Sequence, residues 1–317
     1  MKYTIVLFLL SFVSSVINGQ TPSQVLPVFE TLGQFSNTRD IAISSVGNEA
    51  FITVQSPLGE VSVLVQIQLI NGEWKAQEIL SFSGMYQDME PFLSANNLTL
   101  YFASNRPLSM SDTAVKDFDI WKVERTSLFS PWGNPINLGK PINTEYNEFY
   151  PSLSANNTLY FTSDQPSEFG KDNVWFSEKD KHGYKIPRTL PKAINSDGYE
   201  FNAFIASDES YLIFSGYKRE KGFGSGDLYI SFKTENDTWT EARNIGGEIN
   251  SKYMDYCPFV DQKTNTLYFT SKRSDFKNNR NFRSLETLMR ALNKNENGQS
   301  RGYKVAMKNI LLMKNEY

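Results

Sequence analysis

One segment of this chain recurs four times, and that repetition constrains the fold more than any single residue does. Pro91-Phe92-Leu93-Ser94 runs into Leu100-Tyr101-Phe102-Ala103-Ser104, and Pro151-Ser152-Leu153-Ser154 runs into Leu159-Tyr160-Phe161-Thr162-Ser163. Ala203 to Gly216 and Pro258 to Ser271 repeat the theme. The units begin at 91, 151, 203 and 258, a spacing too long for a strand pair and suited to a four-stranded blade. Asp119-Ile120-Trp121, Asn173-Val174-Trp175 and Asp227-Leu228-Tyr229 keep the same period, followed by Ile142-Asn143, Ile194-Asn195 and Ile249-Asn250. The whole supersecondary unit is therefore copied.

Turn chemistry and patterning agree. Ala95-Asn96-Asn97 and Ala155-Asn156-Asn157 put asparagines, which tolerate positive φ, between apolar runs. Thr99-Leu100-Tyr101-Phe102, Thr158-Leu159-Tyr160-Phe161, Tyr211-Leu212-Ile213-Phe214 and Thr266-Leu267-Tyr268-Phe269 lack polar alternation, so both faces of these strands are expected to be buried. A degenerate copy spans Asp40 to Trp74, and Gly302-Tyr303-Lys304-Val305 falls where the third strand of a final blade belongs. The expected fold is all-β, a β-propeller of four-stranded blades at approximately 36–85, 86–145, 146–197, 198–252 and 253–317. That count is five; a sixth blade would need the poorly patterned termini, with residues near Val25 to Phe29 closing the ring.

Acid, Pro-x-Leu-Ser, an Asn turn, Leu-Tyr-Phe-x-Ser, Asn-Arg-Pro or Lys-Arg, then Asp-Ile-Trp: over residues 85 to 275 this pattern resembles the WD-like β-propeller repeat of the TolB type. The resemblance implies an exported bacterial propeller, usually six-bladed. Its members include periplasmic protein-binding propellers, propellers fused to peptidase or peptidoglycan-binding domains, and a few polysaccharide lyases. Residues 1–19 have the layout of a secretory signal, Lys2 before the apolar run Ile5 to Ile17, with cleavage after Gly19 or Ser15. Residues 20–317 then form a single exported domain, periplasmic or at the cell surface, without a transmembrane segment and monomeric.

Chemistry is limited by what is scarce. The single histidine, His182, sits in a charged hairpin tip and reads as a solvated turn residue, so histidine-dependent zinc, manganese-lyase and Ser-His-Asp mechanisms find no ligands or base here. The lone Cys257 reads as a small buried apolar residue. No metal, cofactor or catalytic residue is expected. What recurs is an acid three residues before each unit: Asp88, Glu148, Glu200 and Asp255, with Tyr86, Tyr146, Tyr199 and Tyr253 nearby. One reading puts these carboxylates and tyrosines at the channel mouth as a binding rim. The other makes the acids structural, accepting loop amides or pairing with Arg106, Arg219 and Arg273.

Residues 20–275 carry 22 basic and 32 acidic side chains, whereas residues 276–317 carry 9 and 3. In the basic tail, Ser284 precedes Leu285, Leu288, Met289 and Leu292 at helical spacing, which predicts a short helical insertion in the last blade. Its apolar stripe is expected to pack on the propeller; the alternative makes the helix with Arg280, Arg283, Arg290 and Lys294 a contact for an acidic partner. The functional expectation is a non-catalytic propeller that binds a protein partner of the cell envelope through its channel face. The alternative is a glycan-binding or glycan-cleaving propeller that uses carboxylates. Nucleic acid is not expected as a partner of an exported, acidic chain.

Overall fold

The computed structural model describes residues 24–109, 114–277 and 281–316. Five four-stranded antiparallel sheets succeed one another along the chain. Blade 1 comprises Asn37–Ile43, Glu49–Gln55, Ser62–Ile70 and Glu73–Ile79; blade 2, Asp88–Leu93, Thr99–Ser104, Asp119–Glu124 and Ile136–Asn137. Blade 3 comprises Glu148–Leu153, Leu159–Ser163, Asn173–Ser177 and Arg188–Thr189; blade 4, Tyr199–Ile205, Tyr211–Tyr217, Gly226–Phe232 and Arg243–Asn244. Blade 5 has three consecutive strands, Asp255–Asp261, Thr266–Ser271 and Arg301–Ala306, and its outermost strand is the N-terminal Leu26–Pro27.

The ring is thus five-bladed, and the N-terminal residues complete the fifth blade instead of building a sixth. Leu26 pairs with Lys304 and Pro27 with Tyr303, and the Val28 N–H donates to Gly302 O at 2.9 Å. Val28, Phe29 and Leu32 are buried beside blade 1. Gly302 makes the seam possible: any Cβ there would meet the Phe29 ring at 2.7 Å.

In blades 1 to 4 the second strand is buried on both faces, with Tyr101, Tyr160 and Ile213 opposite the Leu-x-Phe pairs that flank them, whereas in blade 5 the opposite-face Tyr268 is half-buried. Leu100, Phe102, Leu159, Phe161, Leu212, Phe214, Leu267 and Phe269 all lie at 2% exposure or less, between neighbouring sheets. The first hairpin of every blade turns through a positive-φ residue: Gly47, Asn97, Asn157, Glu209 and Asn265. The repeated Ile-Asn pair also has a physical cause. Asn143, Asn195 and Asn250 each clamp the third strand, accepting the N–H and donating to the C=O of Ile120, Val174 and Leu228 respectively.

The helix forms over Leu285–Leu292, where Ser284 caps it through a reciprocal bond set with Thr287. Its packing differs from the expectation. Leu285, Met289 and Leu292 are 73, 49 and 48% exposed, and Ala291 is the buried contact. The helix lies with its small face inward; its C-cap carbonyl, Asn293 O, comes so close to Gly33 that a Cβ there would stand 3.0 Å away.

Candidate functional site: the propeller axis

Asp88, Glu148, Glu200 and Asp255 open, or nearly open, the inner strands of blades 2 to 5, and all four are completely buried. They therefore do not line an open mouth. Each carboxylate accepts a hydroxyl from the turn before it: Ser83 at 2.8 Å, Thr144 at 2.6 Å, Ser196 at 2.6 Å and Ser251 at 2.7 Å. Three of them also meet an arginine that follows the second strand. Arg106 reaches Asp88 at 2.5 Å, Arg219 reaches Glu200 at 3.5 Å and Arg273 reaches Asp255 at 2.9 Å. Blade 3 has Gln165 at this place, and burial pushes the Glu148 carboxyl up to about 7, with Thr144 opposing and Asp119 adding to the rise.

The four tyrosines are half-buried around these pairs. Arg106 lies over the Tyr86 ring at 5.9 Å, Tyr199 meets Tyr217 edge-on at 5.7 Å, and Lys252 covers Tyr253 at 5.3 Å. The Tyr146 N–H donates to Thr144 Oγ1 at 3.1 Å. His182 is exposed at the tip of the Lys179–Tyr184 hairpin, its N–H on Asp180 Oδ1. In the tail, Arg283 is exposed, Arg290 pairs with Glu286 at 2.7 Å, and Lys294 pairs with Asp275. Arg280 lies outside the described residues, as do residues 1–19.

The residues that do converge on the axis stand two positions further along each inner strand: Asp40, Glu90, Tyr150, Asn202 and Cys257. All five have φ between 50 and 61° and all are buried. Each sits in a register shift of the inner strand, between Arg39 and Ala42 in blade 1 and at the equivalent places in the others. The bulge turns one side chain out of the pleat toward the centre. A hydroxyl on the preceding blade's second strand secures the bulge: the N–H groups of Glu90, Asn202 and Asp40 donate to Thr53, Thr162 and Thr270.

These residues bond to one another across the ring. Arg39 donates to Asp40 Oδ1 at 3.0 Å, Glu90 Oε1 at 2.6 Å and Cys257 Sγ at 3.3 Å. Asn202 Nδ2 donates to Glu90 Oε1 at 3.1 Å, Cys257 Sγ donates to Asn202 Oδ1 at 3.4 Å, and the Tyr150 hydroxyl donates to Pro258 O at 2.9 Å. Burial holds the Glu90 carboxyl well above the ordinary carboxylate range, with Arg39 the main opposing influence. Burial likewise pushes the Cys257 thiol up. The axis is a closed polar plug, and its residue types differ in every blade.

Beyond this plug the channel opens. The hairpin ends of all five inner strands surround a funnel of about 360 Å³, floored by Phe92, Leu153, Phe204 and Phe259 and rimmed by Ser45, Asn97, Asn157 and Lys263. A second cleft, about 580 Å³, runs along the seam between blades 1 and 5. Half-buried Trp74 and Tyr268 line it with Glu30, Glu73, Asp261 and Lys304.

No protein-family model matches the chain, and no curated protein matches it in sequence. Solved structures match its fold. A glycoside hydrolase superposes with a TM-score of 0.53 at 8% identity, over 85% of this chain and 86% of that one. An alpha-L-arabinofuranosidase from Podospora anserina, solved with cellotriose, gives 0.52 at 9% identity, over 86 and 91% of the two chains. TolB from Acinetobacter baumannii is a further neighbour at 0.47 and 9% identity; this chain covers 55% of its length, about half. At such identities the likeness is one of fold.

Proposed function

We propose that this chain is an exported, non-catalytic binding propeller of the TolB-like kind that engages a protein partner of the cell envelope through its channel face. The observation that carries this reading is the contrast between the two parts of the axis. The axial and repeat carboxylates are buried and engaged by arginines, hydroxyls and amides, whereas the funnel beyond them presents an apolar floor inside a polar rim. A glycosidase needs two carboxyl groups that reach the glycosidic bond, one able to donate a proton. A binding surface needs a concave apolar centre and a polar rim. The secretory layout of residues 1–19 supports export.

Affinity capture from envelope extract with the wild type and with Phe259→Asp tests this reading. A partner captured by the wild type and lost with the folded variant supports it; equal capture by both sinks the funnel. A glycan reading draws on a different observation, the aromatic faces of Trp74 and Tyr268 in the charged seam cleft. Binding of a polysaccharide panel that is lost in Trp74→Ala, with no reducing ends released, would favour glycan binding over the protein partner.

A further inference from the structure

The plug at the axis holds a set of groups that the binding reading does not use. One carboxylate oxygen each from Asp40 and Glu90 and the sulfur of Cys257 lie within 4.8 Å of one another, all buried. Asp40 is 4% exposed, and its Oδ2 has no hydrogen-bond partner although its Oδ1 is taken by Arg39. An orphaned carboxylate oxygen in a sealed site is costly unless something occupies it. A void of about 10 Å³, of the order of one water-sized sphere, touches Arg39, Asp40, Cys257 and Thr270 on the blade 5 side and stops short of Glu90.

We propose that the axis is a binding site for one divalent transition-metal ion of the zinc class, held by Asp40 Oδ2, a Glu90 carboxylate oxygen and the Cys257 thiolate. The donor set fits this class, since thiolate excludes calcium and magnesium as preferred ions and carboxylates complete a borderline-soft site. Charge also closes. With the thiol protonated and both carboxyls ionised, the plug carries one negative charge in excess of Arg39, an excess that burial of Glu90 resists. Loss of the thiol proton to solvent and entry of a divalent ion bring the total to zero, three negative charges against Arg39 and the ion. Arg39 keeps its present bonds to Asp40 Oδ1 and Glu90 Oε1: the ion takes Asp40 Oδ2, which has no partner, and shares a Glu90 oxygen that already accepts from Tyr150 or from Arg39 and Asn202, while the Arg39 contact to Cys257 Sγ is the one that yields to it. Asn202 Oδ1, which now accepts the thiol proton at 3.4 Å, is released as a fourth oxygen donor once that proton has gone. Three blades, and a fourth through Asn202, would then be tied through one ion, and the site forms only when the ring closes.

Cobalt is the probe. The purified chain is titrated with Co²⁺ in the folded state, and also refolded from denaturant with Co²⁺ present. The expected result is one equivalent bound, a near-ultraviolet thiolate-to-cobalt charge-transfer band, and release of at least one proton per ion. Cys257→Ser should lose the band, and Asp40→Asn should keep it with at least ten-fold weaker affinity. If either variant fails to fold, wild-type chain alkylated at Cys257 in denaturant before refolding serves instead and should show no band. Absence of a stoichiometric ion in both wild-type experiments overturns the proposal, as does a band that persists in Cys257→Ser or in the alkylated chain.

Discussion

Glu90 and Tyr150 are joined directly across two neighbouring blades: Glu90 Oε2 accepts the backbone N–H of Tyr150 at 2.8 Å. In three other blades the corresponding N–H, that of Glu90, Asn202 or Asp40, is met by the hydroxyl of Thr53, Thr162 or Thr270, whereas before Cys257 the equivalent residue is Ser215, whose hydroxyl has no partner. Blade 2 has Ala103 at that register position, opposite Met89, and a carboxylate from the axis has taken over the work of the missing hydroxyl. Glu90→Ala should therefore cost about 3 kcal/mol, since it strands a buried N–H, Asn202 and Arg39 together. Ala103→Thr should destabilise the wild type by crowding a filled site, yet recover about 1 kcal/mol in the Glu90→Ala background. Denaturant unfolding of the four chains measures this coupling, and additive effects would refute it.

Glu148 makes stability depend on pH. Its carboxyl titrates near 7 in the folded chain and near the ordinary value when unfolded, so the native state binds the extra proton between them. Stability then falls as pH rises from about 4.5 to 7, by up to about 3 kcal/mol, at about 1.4 kcal/mol for each pK step. Glu148→Gln should flatten this part of the profile and raise the melting temperature at pH 8 more than at pH 5. Thermal melts across that range decide it.

Gln165→Arg should act on the same carboxylate from the other side. It restores the cation that Arg106, Arg219 and Arg273 supply in the other repeats. The expected outcome is a gain in stability at pH 8 and none in the Glu148→Gln background, read from paired unfolding curves.

Arg106→Met should cost about 3 to 5 kcal/mol, because Asp88 has no exposure to water and would lose its counter-charge. Arg290→Ala, which breaks an exposed pair with Glu286 on the helix, should change stability by less than about 0.5 kcal/mol. Equal effects from the two would mean that burial does not govern the repeat pairs.

Asn195 holds three backbone groups, the N–H and C=O of Val174 and the C=O of Leu190, without exposure to solvent. Asn195→Asp at pH 8 should destabilise at least as much as Asn195→Ala, because the carboxylate would face two carbonyl oxygens. Unfolding free energies that rank the other way would contradict the clamp geometry.

Most of the fold could be read from residue types alone, because the repeat copies both backbone and side chain. Leu-Tyr-Phe strands, Asn turns and the Ile-Asn clamp look alike in successive blades and fall at one period. The acids at 88, 148, 200 and 255 were equally visible; their burial was not, since a carboxylate on a rim and one under an arginine are spelled the same way. The axial residues left no common letter. Asp40, Glu90, Tyr150, Asn202 and Cys257 share a bulged, positive-φ backbone, and that shared property has no residue signature when each blade fills the position with different chemistry. Along the chain Cys257 reads as a small apolar residue, because nothing in its sequence neighbourhood announces Asp40 or Glu90. The seam was half legible: residues near Val25 could be assigned to closure, but not to the third strand they meet.

That seam also sets an order of events. Leu26–Pro27 finds its partner only in Tyr303-Lys304, almost the whole chain away. During synthesis the first residues must stay unpaired until the last blade has emerged, so the circle is a late, long-range event that no earlier intermediate can complete. Whatever the finished ring binds, its two ends must meet first.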